Sequence, residues 1–289
     1  LKRKIAHIIN PFIASEGSDL AYAQPITFQT MLLAKNKAET IMDIELLAAA
    51  FPEDEKIIPS YFKKTSFLEK SVLGFNDFQK KIKLPCIAEI LQKAFEESEA
   101  DYIIYSNADI GLYPDFYLTV NTLIDEDFDA VIINRKRLKT EYTKVEEIDR
   151  ILLQEGKSHP GFDCFVFHRS IYPKLVLENI CIGVPFIEIT LSQNLFHLSN
   201  KFKLIESARN TFHIGMEIFK NRAPKEYVKF NRIEFRRAIC KLDPFLKSKN
   251  LPYSHLILPL RIIKWGLHPC IPIKLALGLE IKRWFGRKN

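Results

Sequence analysis

Residues 102–106, Tyr-Ile-Ile-Tyr-Ser, form a short apolar run that stops at Asn107-Ala108-Asp109, with Gly111 and Pro114 just beyond. A run of this kind reads as a buried strand. In an open α/β sheet, ligands gather at the carboxyl ends of the strands. Asn107 and Asp109 are oxygen-bearing side chains two positions apart. Both can reach one hard cation, and a cation there can hold a diphosphate. A turn or helix cap uses the same residue types. The motif's place after a third core strand, ahead of Gly111 and Pro114, favours the metal reading.

The elements that would position such a site follow from the pattern on either side. Residues 4–10 read as a first strand stopped by Asn10-Pro11, and residues 40–47 as a second. Helices are expected over residues 26–37, 66–77, 85–98 and 115–124, the third with Ile87, Ile90, Leu91 and Phe95 on one face. A strand over 129–134 leads into the basic run Arg135-Lys136-Arg137, and residues 139–158 read as charged and helical. Pro160-Gly161 turns into a strand over 164–167. A helix follows to residue 199, then a strand at 203–205, a loop over 211–215 and a basic helix over 224–246. Alternating strands and helices call for an α/β fold, a Rossmann-type, mostly parallel sheet flanked by helices.

Composition narrows the function classes. The 289 residues are 47% hydrophobic and 27% charged, enough to bury a large core. Glycine is sparse at 10 residues, and neither G-x-G-x-x-G nor G-x-x-x-x-G-K-[ST] occurs, which removes the dinucleotide and Walker phosphate cradles. The five cysteines are scattered with no C-x-x-C, as expected of reduced thiols in a cytoplasmic protein. The apolar run 5–9 is too short for the core of a secretory leader.

The net charge of +7 suits an anionic partner. The basic residues do not interleave with aromatics as in RNA-binding motifs, so nucleic acid is not an expected partner. From residue 251 to 289, apolar residues such as Ile257, Leu260, Ile263, Trp265 and Leu267 mix with Arg261 and Lys264, and Lys282, Arg283, Trp284, Phe285, Arg287 and Lys288 close the chain. No stretch reaches the ~20 apolar residues that span a bilayer. The segment suits the interface of an anionic leaflet, which would put the protein on the inner face of the cell membrane; a helical pair packed on the domain is the other reading. The expected division is a catalytic domain over 1–222 and a helical, basic C-terminal extension over 223–289.

With these motifs in order, the chain resembles glycosyltransferases of the GT-A fold, of a bacterial surface-polysaccharide type. Their metal motif is Asp-x-Asp at this strand end, matched here by Asn107-Ala108-Asp109 with Asn in the first place. Pro160-Gly161 before Cys164–Phe167 resembles the family's acceptor-side glycine loop, Glu188 the acid at a helix start, and His213 the late histidine that completes the metal site. The likeness runs from about residue 4 to 215. It implies a Mn²⁺ or Mg²⁺ ion on Asp109, His213 and Asn107, with Mn²⁺ favoured by the imidazole. It implies Glu188 as the base that deprotonates the acceptor hydroxyl, with Asp163 as second choice. Asn10, Asp19, Gln24 and Asp43 fall where such enzymes hold the nucleotide, and Arg135 could reach phosphate; surface-loop roles are the alternatives. His159 and Gly161 fall on the acceptor side.

The implied activity is hexosyl transfer from a nucleotide-diphosphate sugar to a glycan or lipid-linked acceptor. Two alternatives stay open. One is a sugar nucleotidyltransferase, for which a Gly- and Arg-rich loop after the first strand is missing. The other is a non-catalytic anionic-lipid-binding protein with a decayed transferase site, kept open by Asn107.

Overall fold

The computed structural model describes residues 2–15, 17–215 and 224–285. Among the described residues nine strands form one sheet: β1 (Arg3–Ile9), β2 (Met42–Ala48), β3 (Lys63–Lys64), β4 (Tyr102–Ser106), β5 (Ile110–Leu112), β6 (Ala130–Arg137), β7 (Lys157–His168), β8 (Phe202–Ile205) and β9 (Thr211–His213). The helices are α1 (Leu20–Ala38), α2 (Ile87–Glu97), α3 (Phe116–Asp125), α4 (Ile148–Leu153), α5 (Ile187–Leu198), α6 (Lys225–Leu242), α7 (Leu258–Leu267) and α8 (Ile273–Phe285). The strand order is β3-β2-β1-β4-β7-β6-β9-β5, and β8 also pairs β6. β3, β2, β1 and β4 are parallel to one another, as β8 and β9 are to β6; β7 runs antiparallel between β4 and β6, and β5 antiparallel to β9. The sheet is mixed and mostly parallel, flanked by helices on both faces.

Two-sided burial explains the continuous apolar strands. Ala6, Ile8, Ile103, Tyr105, Phe165 and Phe167 face a core shared with α2 and α5. Their strand neighbours Ile5, Ile9, Ile104, Cys164 and Val166 face the opposite core under α1 and α3. One polar group crosses this second layer. His7 is fully buried, its Nδ1 2.9 Å from Tyr117 Oη and its Nε2 2.9 Å from Ser106 Oγ. Burial lowers its pKa to about 3, so the ring is a neutral tie between β1, β4 and α3.

Four expectations need correction. Residues 66–77 hold a short 3-10 turn at Val72–Gly74 and no α-helix. Leu68 and Val72 are drawn into two different cores, and a Ser71–Pro85 bridge ties the segment as extended chain. Within 139–158 only a six-residue α-helix, Ile148–Leu153, forms beside a 3-10 turn at Val145–Glu147. β7 already begins at Lys157, because β6 continues past residue 134 and pairs it as a ribbon. Residues 211–213 are a strand, held between β5 and the end of β6. α1 starts at Leu20 and carries Pro25 inside it.

The C-terminal helices belong to the main core. Leu242, Leu251, Trp265, Ile271 and Leu279 join the cluster that contains Ala6 and Ile103. Trp265 is fully buried and its Nε1 donates to Pro252 O at 2.8 Å. A buried ion pair, Arg261 Nη1 to Glu280 Oε2 at 2.8 Å, ties α7 to α8. The outer face differs: Leu260, Ile263, Leu267, Ile281, Trp284 and Phe285 are exposed. The expected domain boundary at 222–223 and the basic residues Arg287 and Lys288 lie outside the described residues. Among those described, no helix is long and apolar enough to cross a membrane.

Candidate active site

The strand ends create the site. β4 stops at Ser106, and residues 107–109 carry the chain across to β5. β5 pairs with β9 in a register that sets Ile110 opposite His213, and Ile214 N donates to Asp109 O at 3.0 Å. This backbone lock brings two side chains together that lie 104 positions apart: His213 Nε2 is 3.1 Å from Asp109 Oδ2. Burial pushes the Asp109 pKa up, but the hydrogen bond and charge of His213, with Arg135, outweigh it and hold the carboxyl below its ordinary value. Asp109 Oδ1 is buried with no hydrogen-bond partner. Beside it, the buried Tyr105 hydroxyl donates to Asn107 Oδ1 at 3.0 Å.

A second pair comes from the β6–β7 ribbon. Asn134 pairs Phe162 and Lys136 pairs Ser158, so His159, Pro160 and Gly161 stand opposite Arg135 alone. The irregularity re-aims side chains, as bulges do, and it suits Pro160, which has no N–H for a ladder. Arg135 Nη1 pairs with Asp163 Oδ1; the Asp163 side chain is buried and that of Arg135 mostly so. Asp163 Oδ2 has no hydrogen-bond partner. Burial raises the Asp163 carboxyl above its ordinary pKa, opposed by Arg135. Gly161 N donates to His159 Nδ1 at 3.0 Å. A Cβ on Gly161 would sit 2.9 Å from His159 Nδ1, 3.0 Å from Asp163 Oδ2 and 3.1 Å from Arg135 Nη1. Glycine leaves a pocket that any larger residue would fill. Burial, with the charges of Arg135, Arg137 and His213, lowers the His159 pKa to about 4.

The third carboxylate is Glu188, in the first turn of α5. Phe186, which starts that turn, has φ +93°, a left-handed backbone rare for a bulky residue. Burial foremost, then the negative charges of Asp163 and Asp109, raise the Glu188 pKa to about 7. Glu188, Asp109, Asn107 and Tyr105 border a cavity of about 640 Å³ whose other walls include Lys83 and the turn 182–185.

The remaining expected residues divide. Asn10 borders the cavity, but its Nδ2 donates to Ala49 O at 2.7 Å and ties β1 to β2. Gln24 accepts from Phe12 N and donates to Phe12 O and Leu20 O, so it holds the loop after β1. Asp19 precedes α1 and touches the turn after β9: a Cβ on Gly215 would meet its Cβ at 3.2 Å. Asp43 is a correction. It is exposed at the amino end of β2, opposite Lys4, whereas the cluster sits at the carboxyl ends.

Sequence reasoning missed Lys83, Asp54 and Tyr105. Lys83 pairs Glu53 at 2.5 Å and lies over the Phe51 ring, and Asp54 Oδ1 accepts from Ile13 N at 2.7 Å. Tyr105, two residues before Asn107 on the same side of the strand, was open to discovery by alternation; Lys83 and Asp54 come from irregular chain without a pattern.

Among the described residues, no group of three or more His, Cys, Asp or Glu side chains could hold a metal ion. Asp109 and His213 supply two donors, Asn107 an amide oxygen, and Asp109 Oδ1 is unspent. That set fits Mg²⁺ or Mn²⁺ of the kind held by one or two protein groups and substrate phosphates.

The Arg135–Asp163 pair yields a stability test. Arg135→Met leaves a buried carboxylate uncompensated and is expected to cost about 3–5 kcal/mol in chemical denaturation. Adding Asp163→Asn should recover most of that loss. A single-variant cost below about 1 kcal/mol would mean the pair behaves as a solvated surface bridge.

No protein-family model matches the chain, and no curated protein matches it. Solved structures do. A crystal structure of S. aureus TarS 1-349 in complex with UDP-GlcNAc is similar over 94% of this chain and 82% of that one, at 10% identity and a TM-score of 0.48. The same protein in complex with UDP is similar over 98% and 92%, at 11% identity and a TM-score of 0.47. The 4-diphosphocytidyl-2C-methyl-D-erythritolsynthase from Anaerococcus prevotii DSM 20548 is similar over 81% of this chain and 99% of its own, at 13% identity and a TM-score of 0.42. The roles of individual residues rest on the geometry above.

Proposed function

We propose that the chain is a glycosyltransferase of hexosyltransferase type. It moves a sugar from a nucleotide-diphosphate donor to a hydroxyl of a glycan or lipid-linked acceptor, in cell-surface polysaccharide synthesis. The observation that carries this reading is the convergence of Asp109, Asp163 and Glu188, with His213 and Arg135, at one end of the sheet beside a cavity of about 640 Å³.

Asp109 and His213, with Asn107, would hold Mn²⁺ or Mg²⁺, which neutralises a leaving diphosphate when bound. The rest falls to the chain's own groups. The cavity takes the donor, bordered by Asn10 and Lys83. Asp163, fixed by Arg135, turns its unspent Oδ2 toward the pocket over Gly161, where an acceptor hydroxyl can donate to it. In an inverting transfer, a Glu188 carboxylate oxygen takes the acceptor proton as the oxygen attacks. A base with a pKa near 7 balances being deprotonated against being strong enough to accept.

Calorimetric titration with UDP, GDP and CDP, with and without Mn²⁺, tests the donor site. One nucleotide should bind in a metal-dependent way, and Asp109→Ala should lose that dependence. Full activity in Asp109→Ala would sink the metal role. Pyrophosphate released from a sugar phosphate and a nucleoside triphosphate would instead indicate a sugar nucleotidyltransferase.

Glu188 gives a pH signature. Its raised pKa keeps it protonated, and idle as a base, below about 7. Turnover should therefore fall about tenfold per pH unit on the acid side and level off above. Glu188→Gln should lose roughly 10²–10⁴ in turnover together with that limb. An unchanged acid limb in the variant would assign the base elsewhere.

The exposed face of α7 and α8 sets Leu260, Ile263, Leu267, Trp284 and Phe285 beside exposed Lys264, Lys282 and Arg283. That combination suits the interface of an anionic leaflet. The triple variant Leu260→Gln, Ile263→Gln, Leu267→Gln should lose co-flotation with phosphatidylglycerol vesicles. Flotation equal to that of the parent chain would discard this face as the anchor.

A further inference from the structure

Two of the buried cysteines face each other behind the cavity wall. Cys86 immediately precedes α2, and Cys181 immediately precedes the turn 182–185. They form an isolated antiparallel bridge. Its hydrogen bonds flank the pair: Ile87 N donates to Ile180 O and Ile182 N to Pro85 O, each at 3.0 Å. Cys86 and Cys181 thus occupy a non-hydrogen-bonded antiparallel position. Opposed residues at such a position have Cα atoms about 4.5 Å apart with side chains on one face. A disulfide spans Cα separations of ~4.4–6.8 Å. The general spacing of such positions falls inside that range, so the bond calls for rotation of the two side chains rather than a shift of the backbone.

We infer that Cys86 and Cys181 are an oxidisable pair, joined as a disulfide by a peroxide-class oxidant. The bond would clip together the two segments that wall the cavity. Lys83, Leu84 and Pro85 line it on one side of the joint, and Ile182, Gly183 and Val184 on the other. In the reduced protein the joint rests on the two backbone bonds, on Asn231, which accepts from Cys181 N at 3.0 Å and donates to Cys181 O at 2.9 Å, and on the thiols, Cys86 Sγ donating to Asn179 O at 3.5 Å and Cys181 Sγ to Asn231 Oδ1 at 3.3 Å; the disulfide would replace these last two. This reading stands on the backbone pairing and is independent of the proposed transfer activity.

The chemistry balances with hydrogen peroxide as the electron acceptor. One thiolate attacks the peroxide O–O bond, giving a sulfenic acid and one water. The second sulfur then displaces the sulfenic oxygen as another water. Two S–H bonds and one O–O bond break, one S–S bond and two O–H bonds form, and two electrons pass to the peroxide. Burial raises both thiols to about 12, so the step is slow at neutral pH and quickens in mild alkali.

The test is peptide mapping of the full chain after hydrogen peroxide treatment at pH 9 and alkylation. The exposed Cys240 reports that the oxidant acted. The expected product is a peptide pair linked through Cys86 and Cys181, lighter than the two thiols by about 2 Da. The midpoint of thermal unfolding should rise by about 10 °C, reversibly with dithiothreitol, because the bond closes a long loop in the unfolded chain. Cys86→Ser and Cys181→Ser should each abolish both effects. Oxidation of Cys240 with Cys86 and Cys181 recovered as thiols, or carried to sulfinic acid, overturns the inference. The mapping needs only the parent chain, so a poorly folding variant does not blunt it.

Discussion

The Arg135–Asp163 ion pair lets three carboxylates share one small, largely buried space. Asp109, Asp163 and Glu188 feel one another's charge, and each raises the cost of ionising the next. Unbalanced, such a cluster would drive its members to protonate. Arg135 and His213 divide the compensation: one guanidinium on Asp163, one imidazole on Asp109. Glu188 receives the least relief, and the difference in environment separates the three acids chemically. One stays ionised, one is locked in an ion pair, and one is poised near neutrality. Acids with distinct environments can take distinct roles.

The backbone that makes this possible is irregular where it matters. β7 inserts antiparallel between β4 and β6, which sets Ser106 opposite Cys164 and so brings the Asn107 end near Asp163. The β6–β7 ribbon then departs from regular pairing at residues 159–161. β9, only three residues long, pairs both β5 and the end of β6 and thereby delivers His213. Each contributor is a short or distorted strand, which lets side chains converge that a flat ladder would hold apart.

This also explains what was legible in the sequence. The regular strands and amphipathic helices carry periodic apolar patterns, so β1, β4, α2, α3 and α5 could be anticipated. Asp109 and Asp163 stood out because they end or precede apolar runs, Glu188 and His213 only through the order of motifs that the resemblance supplied. β9 was hidden: three residues hold no period, and its pairing partners lie about 75 and 100 positions earlier in the chain. The absent helix over 66–77 failed for the opposite reason, since its apolar residues serve two separate cores. Asp43 was misplaced because it lies one residue into β2, at the amino end, whereas that strand reaches the ligand end only near Ala48.

The shared core has a consequence for how the protein is made. Ala6 in β1 and Leu279 in α8, more than two hundred and fifty positions apart, belong to one hydrophobic cluster. Synthesis runs from the amino terminus, so the strands of the sheet are made before α7 and α8, which cover part of one face. During that interval Ile103, Phe165 and Phe167 lack some of their partners, the kind of transient apolar surface that recruits chaperones. Long-range closure of this sort slows folding, because chain entropy is lost before the final contacts repay it. α7 and α8 thus act as a clasp on this face of the sheet.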